Sequence, residues 1–265
     1  MTHRHAFAPE TLDRSRALRW LKRWDDQQAT FFVNREERFA VIVDVVGEVG
    51  RPDPLVVDLG VGPGSLAHRL LTRLPQATVV GVDMDPLLLG LAEAAYGDDS
   101  FRVVQADLSV PSWLDRLGLG RAPDAFVSST ALHWLHMTDL AAMIAEAVGS
   151  LASGGVFVDG DHFYEPQRTP RLDELRRVVA ARAADRAGGR DAETWVQWWD
   201  AAQEAPELAG LVRRREDARL PSPHERHGSK AASLRDIQVA LADAGCAEVG
   251  PVWENGDDYV VVGVR

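Results

Sequence analysis

A chain of 265 residues, 46% hydrophobic and 26% charged, has the make-up of an ordinary globular protein and enough apolar side chains for one large α/β domain with an insertion. Its formal charge of -11 argues against the broad phosphate-binding face that nucleic-acid binders build from clustered Lys and Arg, so the expected partner is a small molecule. Cys246 is the only cysteine, which excludes an internal disulfide and a cysteine metal cluster.

The opening MTHRHAFAPE has no apolar run of signal-peptide length, and no later stretch approaches a membrane span, so a cytoplasmic protein is expected. Residues 1–50 read as helices. NREERFAVIVDVVGEV opens with Asn34 as an N-cap and Glu37 at capping-box spacing, and Phe39, Ile42, Val46 and Val49 make one apolar stripe. Just before it, Trp24, Gln28 and Phe31 read either as simple packing or as a flap over a ligand.

At Leu55 the period changes. LVVDLG is a short apolar run ending in glycine, as a buried parallel strand should be. SLAHRLLTRL follows as a helix stopped by Pro75, and TVVGVD as a second strand. DPLLLGLAEAA is a helix with Asp85 at its cap and Pro86 at its first position. FRVVQAD and DAFVSS are the third and fourth strands. DLAAMIAEAVGSL is a helix with Leu140, Ile144 and Val148 on one face, and GGVFVDG is a fifth strand. This alternation predicts a parallel sheet covered on both faces. It breaks over 164–230, which holds charged helical stretches, the aromatic cluster WVQWWD and the loop LPSPHERHG. SLRDIQVALADAG then makes a helix ending at Gly245, and two strands joined at Asn255-Gly256 close the chain as a hairpin.

The predicted fold is therefore α/β: a doubly wound, Rossmann-like, seven-stranded sheet with a terminal antiparallel hairpin and a helical insertion before the last helix. In this division 1–50 covers the site, 51–163 is the ligand-binding core, 164–230 is a lid, and 231–265 returns to the core.

The stretch LVVDLGVGPGSLAHRLL carries glycines at 60, 62 and 64 with Asp58 just before them. A dinucleotide fingerprint needs G-x-G-x-x-G, whereas Ser65 stands where its third glycine would fall. Pro63 removes one backbone donor from a turn that would have to face phosphate. Asp58 brings a negative charge that suits an ammonium or sulfonium better than a pyrophosphate. Asp83 ends the second strand, where nucleotide sites place a carboxylate for ribose hydroxyls, and Asp107 follows the third, placed to accept from an adenine amino group. The bland alternatives are a tight turn for the glycines and helix or turn caps for the aspartates.

On VVDLGVGPG, VVGVDMDP, VVQADLS and LASGGVFV, in that order, the chain resembles the class I S-adenosylmethionine-dependent methyltransferases, over about residues 30–160 plus the closing helix and hairpin. The resemblance implies S-adenosyl-L-methionine as cofactor. Gly60 and Gly62 would pass close to its methionine part, with Asp58 and Gly64 also among the cofactor-binding residues, and Asp83 would hold the ribose. Met84 would pack on the adenine, Asp107 with Leu108 would read its edge, and Ser128 completes the implied set. SSTALHWLH is further similar to small-molecule methyltransferases of the trans-aconitate type.

In-line methyl transfer asks a protein to align two reactants, exclude water and take up a proton where the nucleophile carries one. A histidine near neutrality suits the last task, and His133, His162 and His136 are the candidates, in that order. Trp134, Tyr164, Trp195 and Trp199 are the candidate acceptor contacts, with core packing as the alternative for the tryptophans. Asp161 and His162 read as a polar pair at the mouth of the site or as caps. Arg35 and Arg38 read as surface ion pairs or as partners for a carboxylate. His224 and His227 have a His-x-x-His spacing but no third ligand nearby, so no metal is expected. The expected activity is methyl transfer to an O-, N- or C-nucleophile of a small molecule. The alternatives are cofactor-assisted rearrangement or cyclisation and, further off, NAD(P)-dependent redox chemistry. The sequence leaves the acceptor and the oligomeric state open.

Overall fold

The structure, a computed structural model, describes residues 12–187, 192–222 and 232–265. Among them are seven strands: β1 (Leu55–Leu59), β2 (Thr78–Asp83), β3 (Phe101–Gln105), β4 (Ala125–Ser129), β5 (Val156–His162), β6 (Glu248–Asn255) and β7 (Asp258–Val264). They form one sheet in the order β3-β2-β1-β4-β5-β7-β6. The first five are parallel, and β7 runs antiparallel between β5 and β6. β1 is buried at every position, which is why its sequence is a continuous apolar run rather than an alternating one.

Helices α1 (Arg14–Phe31), α2 (Arg35–Gly47), α3 (Ser65–Arg73), α4 (Pro86–Tyr96), α5 (Met137–Ser150), α6 (Pro170–Arg186), α7 (Trp195–Glu204), α8 (Ala209–Asp217) and α9 (Leu234–Asp243) surround the sheet. On one face Ile42 and Val46 of α2 and Leu70 of α3 pack on Val79 and Val158. On the other, Leu140 and Ile144 of α5 and Leu241 of α9 pack on Phe126 and Phe157. Fully burying side chains of this size contributes about 1.5–3 kcal/mol each. A third cluster joins Trp20 and Trp24 of α1 to Leu87 and Leu91 of α4, Trp198 and Trp199 of α7, and Leu211 of α8. Gly90 makes room for it, since a Cβ there would lie 2.4 Å from Leu211 Cδ2. The stretch after β5 is thus fastened to α1 and α4 through α7 and α8.

Some local readings shift. Asn34 precedes α2, but its side chain makes no capping bond. Glu37 instead accepts from the Trp253 indole across the fold. The last hairpin turns at Gly256-Asp257 rather than Asn255-Gly256, because Asn255 still pairs with Asp258. β3 stops at Gln105, two residues short of Asp107, while β5 continues through Asp161 and His162. Asp85 caps α4 by accepting from Leu87 N, with Pro86 in the first turn. Among the described residues no helix is long and apolar enough to cross a membrane.

The strand order reverses between β1 and β4. At such a switch point the loops leaving adjacent strands diverge, and a crevice opens at the carboxyl ends.

Candidate active site

The turn from β1 into α3 builds one wall of that crevice. Gly60, Gly62 and Gly64 all have positive φ, at 68°, 53° and 91°, a region costly for side chains with a Cβ. At Gly60 the demand is also steric: a Cβ would stand 2.3 Å from Ala131 Cβ, in the loop after β4. Gly62 N donates to Asp83 Oδ2 and Asp85 N to Asp83 Oδ1, each at 2.9 Å, so two backbone donors fix the carboxylate at the end of β2.

A cavity of about 920 Å³ opens here, with Asp58, Gly60, Gly62, Asp83, Met84, Asp107 and Leu108 in its wall, a size at the upper end for small-molecule sites. Asp58 is 1% exposed. It accepts from Ala67 N, and burial followed by the neighbouring Asp83 charge pushes its carboxyl up to about 8. Its Oδ2 has no hydrogen-bond partner among the described residues. A buried carboxyl in this state is stabilised as an anion only by a cation that arrives from outside. Asp107 faces the cavity and also accepts from Ser109 N and Oγ at 2.9 and 2.7 Å, so the turn reading and the cavity reading hold together. Gly64 lies outside this wall; its missing Cβ makes room for Tyr96.

The opposite walls come from α1, the loop after β4, and the start of α7. Thr130 has a φ of 53°, and the chain then enters a short 3-10 helix, Leu132–Trp134. This presents His133 to the cavity with Nδ1 2.8 Å from Asp161 Oδ2. Burial disfavours the imidazolium, but the Asp161 carboxylate outweighs it and the ring's pKa is raised. Asp161, itself buried, is held below its ordinary value by His133 despite burial. Asp159, two residues earlier, is pushed well up by burial and the Asp161 charge. The neutral His133 ring that donates Nδ1–H to Asp161 carries its lone pair at Nε2, the arrangement of a general base with its orienting carboxylate.

Of the other candidate residues, some share this cavity and the rest are placed elsewhere. The His162 ring lies 3.4 Å from Asp257 and 3.9 Å from Asp258, 5.0 Å from the Phe32 ring, so it is the His162 backbone N, donating to Asp161 Oδ1 at 2.8 Å, and not the imidazole, that meets Asp161. Side chains of neighbouring strand residues point to opposite faces, and Asp161 goes to His133 instead. His136 is exposed at the start of α5, outside the cavity wall. Trp134 and Trp195 line the cavity. Trp199 does not: it is buried between Trp195 and Trp198, with ring centroids 5.8 and 5.2 Å away. Tyr164 also lies outside, under the Arg177 guanidinium. Ser128 donates to Leu59 O at 3.0 Å within the sheet, and the wall residue is its neighbour Ser129, whose buried Oγ has no partner among the described residues. Arg35 and Arg38 are not surface pairs. Both are buried, Arg35 on Asp25 at 3.0 Å and Arg38 on Asp258 at 2.7 Å, and only Arg35 reaches the cavity. His224 and His227 fall outside the described residues.

Gln27 and Thr130 also line the wall, and no sequence motif gives either a role. Gln27 had a signal: the buried stripe of α1, Ala17, Trp20, Leu21 and Trp24, continues onto Gln27 and Gln28. Amides on the core-facing side of a helix need polar company.

The sequence pattern of a methyltransferase domain matches residues 56–155. An uncharacterized methyltransferase of Mycobacterium bovis is 31% identical over 60% of this chain and 75% of its own length. The chain belongs to the class I S-adenosylmethionine-dependent methyltransferases. S-adenosylmethionine is the cofactor of that family. A trans-aconitate 2-methyltransferase of Methylobacterium radiotolerans is 31% identical over 60% of this chain and 55% of its own length, and the match spans about half the length of the curated relatives of that name. Among solved structures, magnesium protoporphyrin IX methyltransferase of Synechocystis with bound S-adenosylhomocysteine superposes with a TM-score of 0.54 at 18% identity, over 92% of this chain and 94% of that one. An O-methyltransferase family protein of Burkholderia thailandensis gives 0.56 at 20% identity, over 98% and 65%. Both share this methyltransferase's fold.

Proposed function

We propose that the chain transfers a methyl group from S-adenosylmethionine to a small-molecule acceptor, with His133 as proton acceptor and Asp161 as the residue that positions it. The observation that carries this reading is one cavity containing both the Asp58–Asp83–Asp107 wall and His133 with its buried carboxylate.

The donor set fits the cofactor. Asp83, already oriented by two backbone donors, keeps acceptor capacity for ribose hydroxyls. Met84 and Leu108 offer apolar faces to the adenine, and Asp107 an acceptor for its amino group. Gly60 and Gly62 let the methionine part approach the backbone. The unpartnered oxygen of Asp58 answers the ligand's positive charge. When bound, S-adenosylmethionine supplies a methyl carbon activated by positive sulfur. The protein's remaining tasks are alignment, removal of water and uptake of the acceptor's proton at His133 Nε2. Trp195 and Val196, at the start of α7, close over the cavity as part of the lid proposed for 164–230.

Calorimetry on the purified chain tests the binding half, with saturable heat expected from both S-adenosylmethionine and S-adenosylhomocysteine. No heat from either ligand sinks the assignment. Release of S-adenosylhomocysteine in a metabolite-extract screen then tests transfer, and rearranged acceptor without that release would mean chemistry other than methylation.

A further inference from the structure

The charge and the surface of this cavity are matched to different parts of its contents. Asp58, Asp83 and Asp107 give it three carboxyl groups, of which Asp58 keeps its proton until a cation arrives. Among the described lining residues the only Arg or Lys is Arg35, which is held by Asp25 at 3.0 Å and rests over the Phe39 ring at 4.5 Å. A polycarboxylate would meet net repulsion and one cation that is already paired. The walls contributed by α1, the loop after β4 and α7 are instead aromatic, with Trp24, Phe31, Phe32, Trp134 and Trp195. Phe31 and Trp134 remain 42% and 36% exposed, and Val196, also in the wall, 44%. Apolar surface left open to water at the mouth of a cavity marks a place for an apolar ligand.

The base narrows the nucleophile. A carboxylate acceptor has a pKa of about 4 and is already ionised near neutrality, so it needs no proton acceptor. A phenol, at about 10, does. An ammonium would be drawn toward this acidic wall and would compete there with the cofactor's own charge.

Resting on the methyl-transfer reading, we propose that the acceptor is a planar aromatic molecule without carboxylates that presents a phenolic hydroxyl to His133, and not a polycarboxylate. As the phenolic O–H bond breaks, the proton passes to His133 Nε2. The oxygen's electron pair forms the new bond to the methyl carbon, and the carbon–sulfur bond breaks with its pair left on sulfur. The products are an aryl methyl ether and S-adenosylhomocysteine, and the proton on the imidazolium returns to solvent.

The test uses the full chain saturated with S-adenosylhomocysteine, whose own binding heat is recorded first. Absence of that heat defeats the underlying assignment rather than this choice of acceptor. 2-Naphthol, trans-aconitate and phenethylamine are then titrated by calorimetry and tryptophan fluorescence. Naphthol is expected to bind at least about tenfold tighter than either of the others, and to give its methyl ether in turnover with S-adenosylmethionine. Tighter binding or preferential methylation of trans-aconitate or phenethylamine overturns the proposal, as does failure of naphthol to bind. Trp134→Ala, at a half-exposed position that leaves the core intact, is expected to weaken naphthol by about tenfold. Undiminished naphthol affinity in that variant also overturns it.

Discussion

Asp58 and Asp161 are two carboxylates equally hidden from solvent, 1% and 2% exposed, near the carboxyl ends of β1 and β5. Burial raises the cost of charge at both, yet their protonation diverges. Asp161 faces His133 at 2.8 Å and is held below its ordinary value. Asp58 has Asp83 as its charged neighbour and is pushed up to about 8. Strand position and burial alone therefore do not assign a role. A buried carboxyl with an opposite charge beside it is finished internally and can orient its partner. One with only a like charge nearby keeps its proton unless a cation reaches it, which is the role proposed for a ligand at Asp58.

The largest expected effect lies on the completed side. His133→Gln is expected to lower kcat by roughly 10²–10⁴-fold, the usual contribution of a positioned base, while S-adenosylhomocysteine affinity by calorimetry stays unchanged. Asp161→Asn should fall less in kcat and move the pH profile. Asp161 raises the His133 pKa against burial, and the base works only when neutral. Removing the carboxylate takes away the two largest raising influences and leaves burial and Arg38 to lower the pKa against Asp159 alone, so the acid limb of kcat shifts to lower pH. An unmoved limb would make Asp161 a structural residue only.

The same contrast explains what the sequence made legible. Asp58, Gly60 and Gly62 sit in one strand–turn–helix, and Asp83 on the adjoining strand is tied to Gly62 N at 2.9 Å. Local chain geometry sets where these groups go, and local patterns report it. The hydrophobic period likewise marked all seven strands, and the Asn-Gly signal marked the terminal hairpin, whose turn lies one residue later, at Gly256-Asp257. His133 and Asp161 meet across a separation of 28 residues, and α1 meets α7 across far more. Only the folded sheet decides which side chain faces which. Hence the wall residue is Ser129 and not Ser128, a single step in the strand's alternation. Within WVQWW, Trp195 reaches the cavity while Trp198 and Trp199 are buried against α1 and α4. All three residues are tryptophan, so composition carries no sign of the difference.

On the ligand-completed side, Asp83→Ala is expected to weaken cofactor binding by about 10- to 100-fold, the equivalent of losing hydrogen bonds to a charged acceptor. The variant also strips Gly62 N and Asp85 N of their partner, so part of the loss would come from a loosened turn. Supplying the 2′- and 3′-deoxy forms of the ligand separates the two. They should bind the parent protein more weakly and the variant no worse than the full ligand does. Equal affinity of parent and variant would remove Asp83 from the cofactor site.

The smallest effect is the one most specific to Asp58. With its carboxyl at about 8, the ligand-free protein holds a proton below that pH that an arriving cation must displace. Binding releases it, so affinity should rise with pH by up to about tenfold per unit and level off as the pH passes about 8. Asp58→Asn removes the titrating group, and its affinity should follow only the ligand's own amino group. The difference between the two proteins isolates the aspartate. Stability without ligand must change in the opposite sense. The folded chain keeps a proton that the unfolded chain gives up above the ordinary aspartate value of 3.8, so this carboxyl's contribution is fully present below about pH 4 and is lost as the pH climbs toward 8. Asp58→Asn should therefore raise the melting temperature of the ligand-free protein at alkaline pH and little below pH 5, while weakening cofactor binding most above about pH 8 and progressively less below it. A variant that loses both stability and affinity at alkaline pH would mean that Asp58 already has a partner within the fold, and its contrast with Asp161 would disappear.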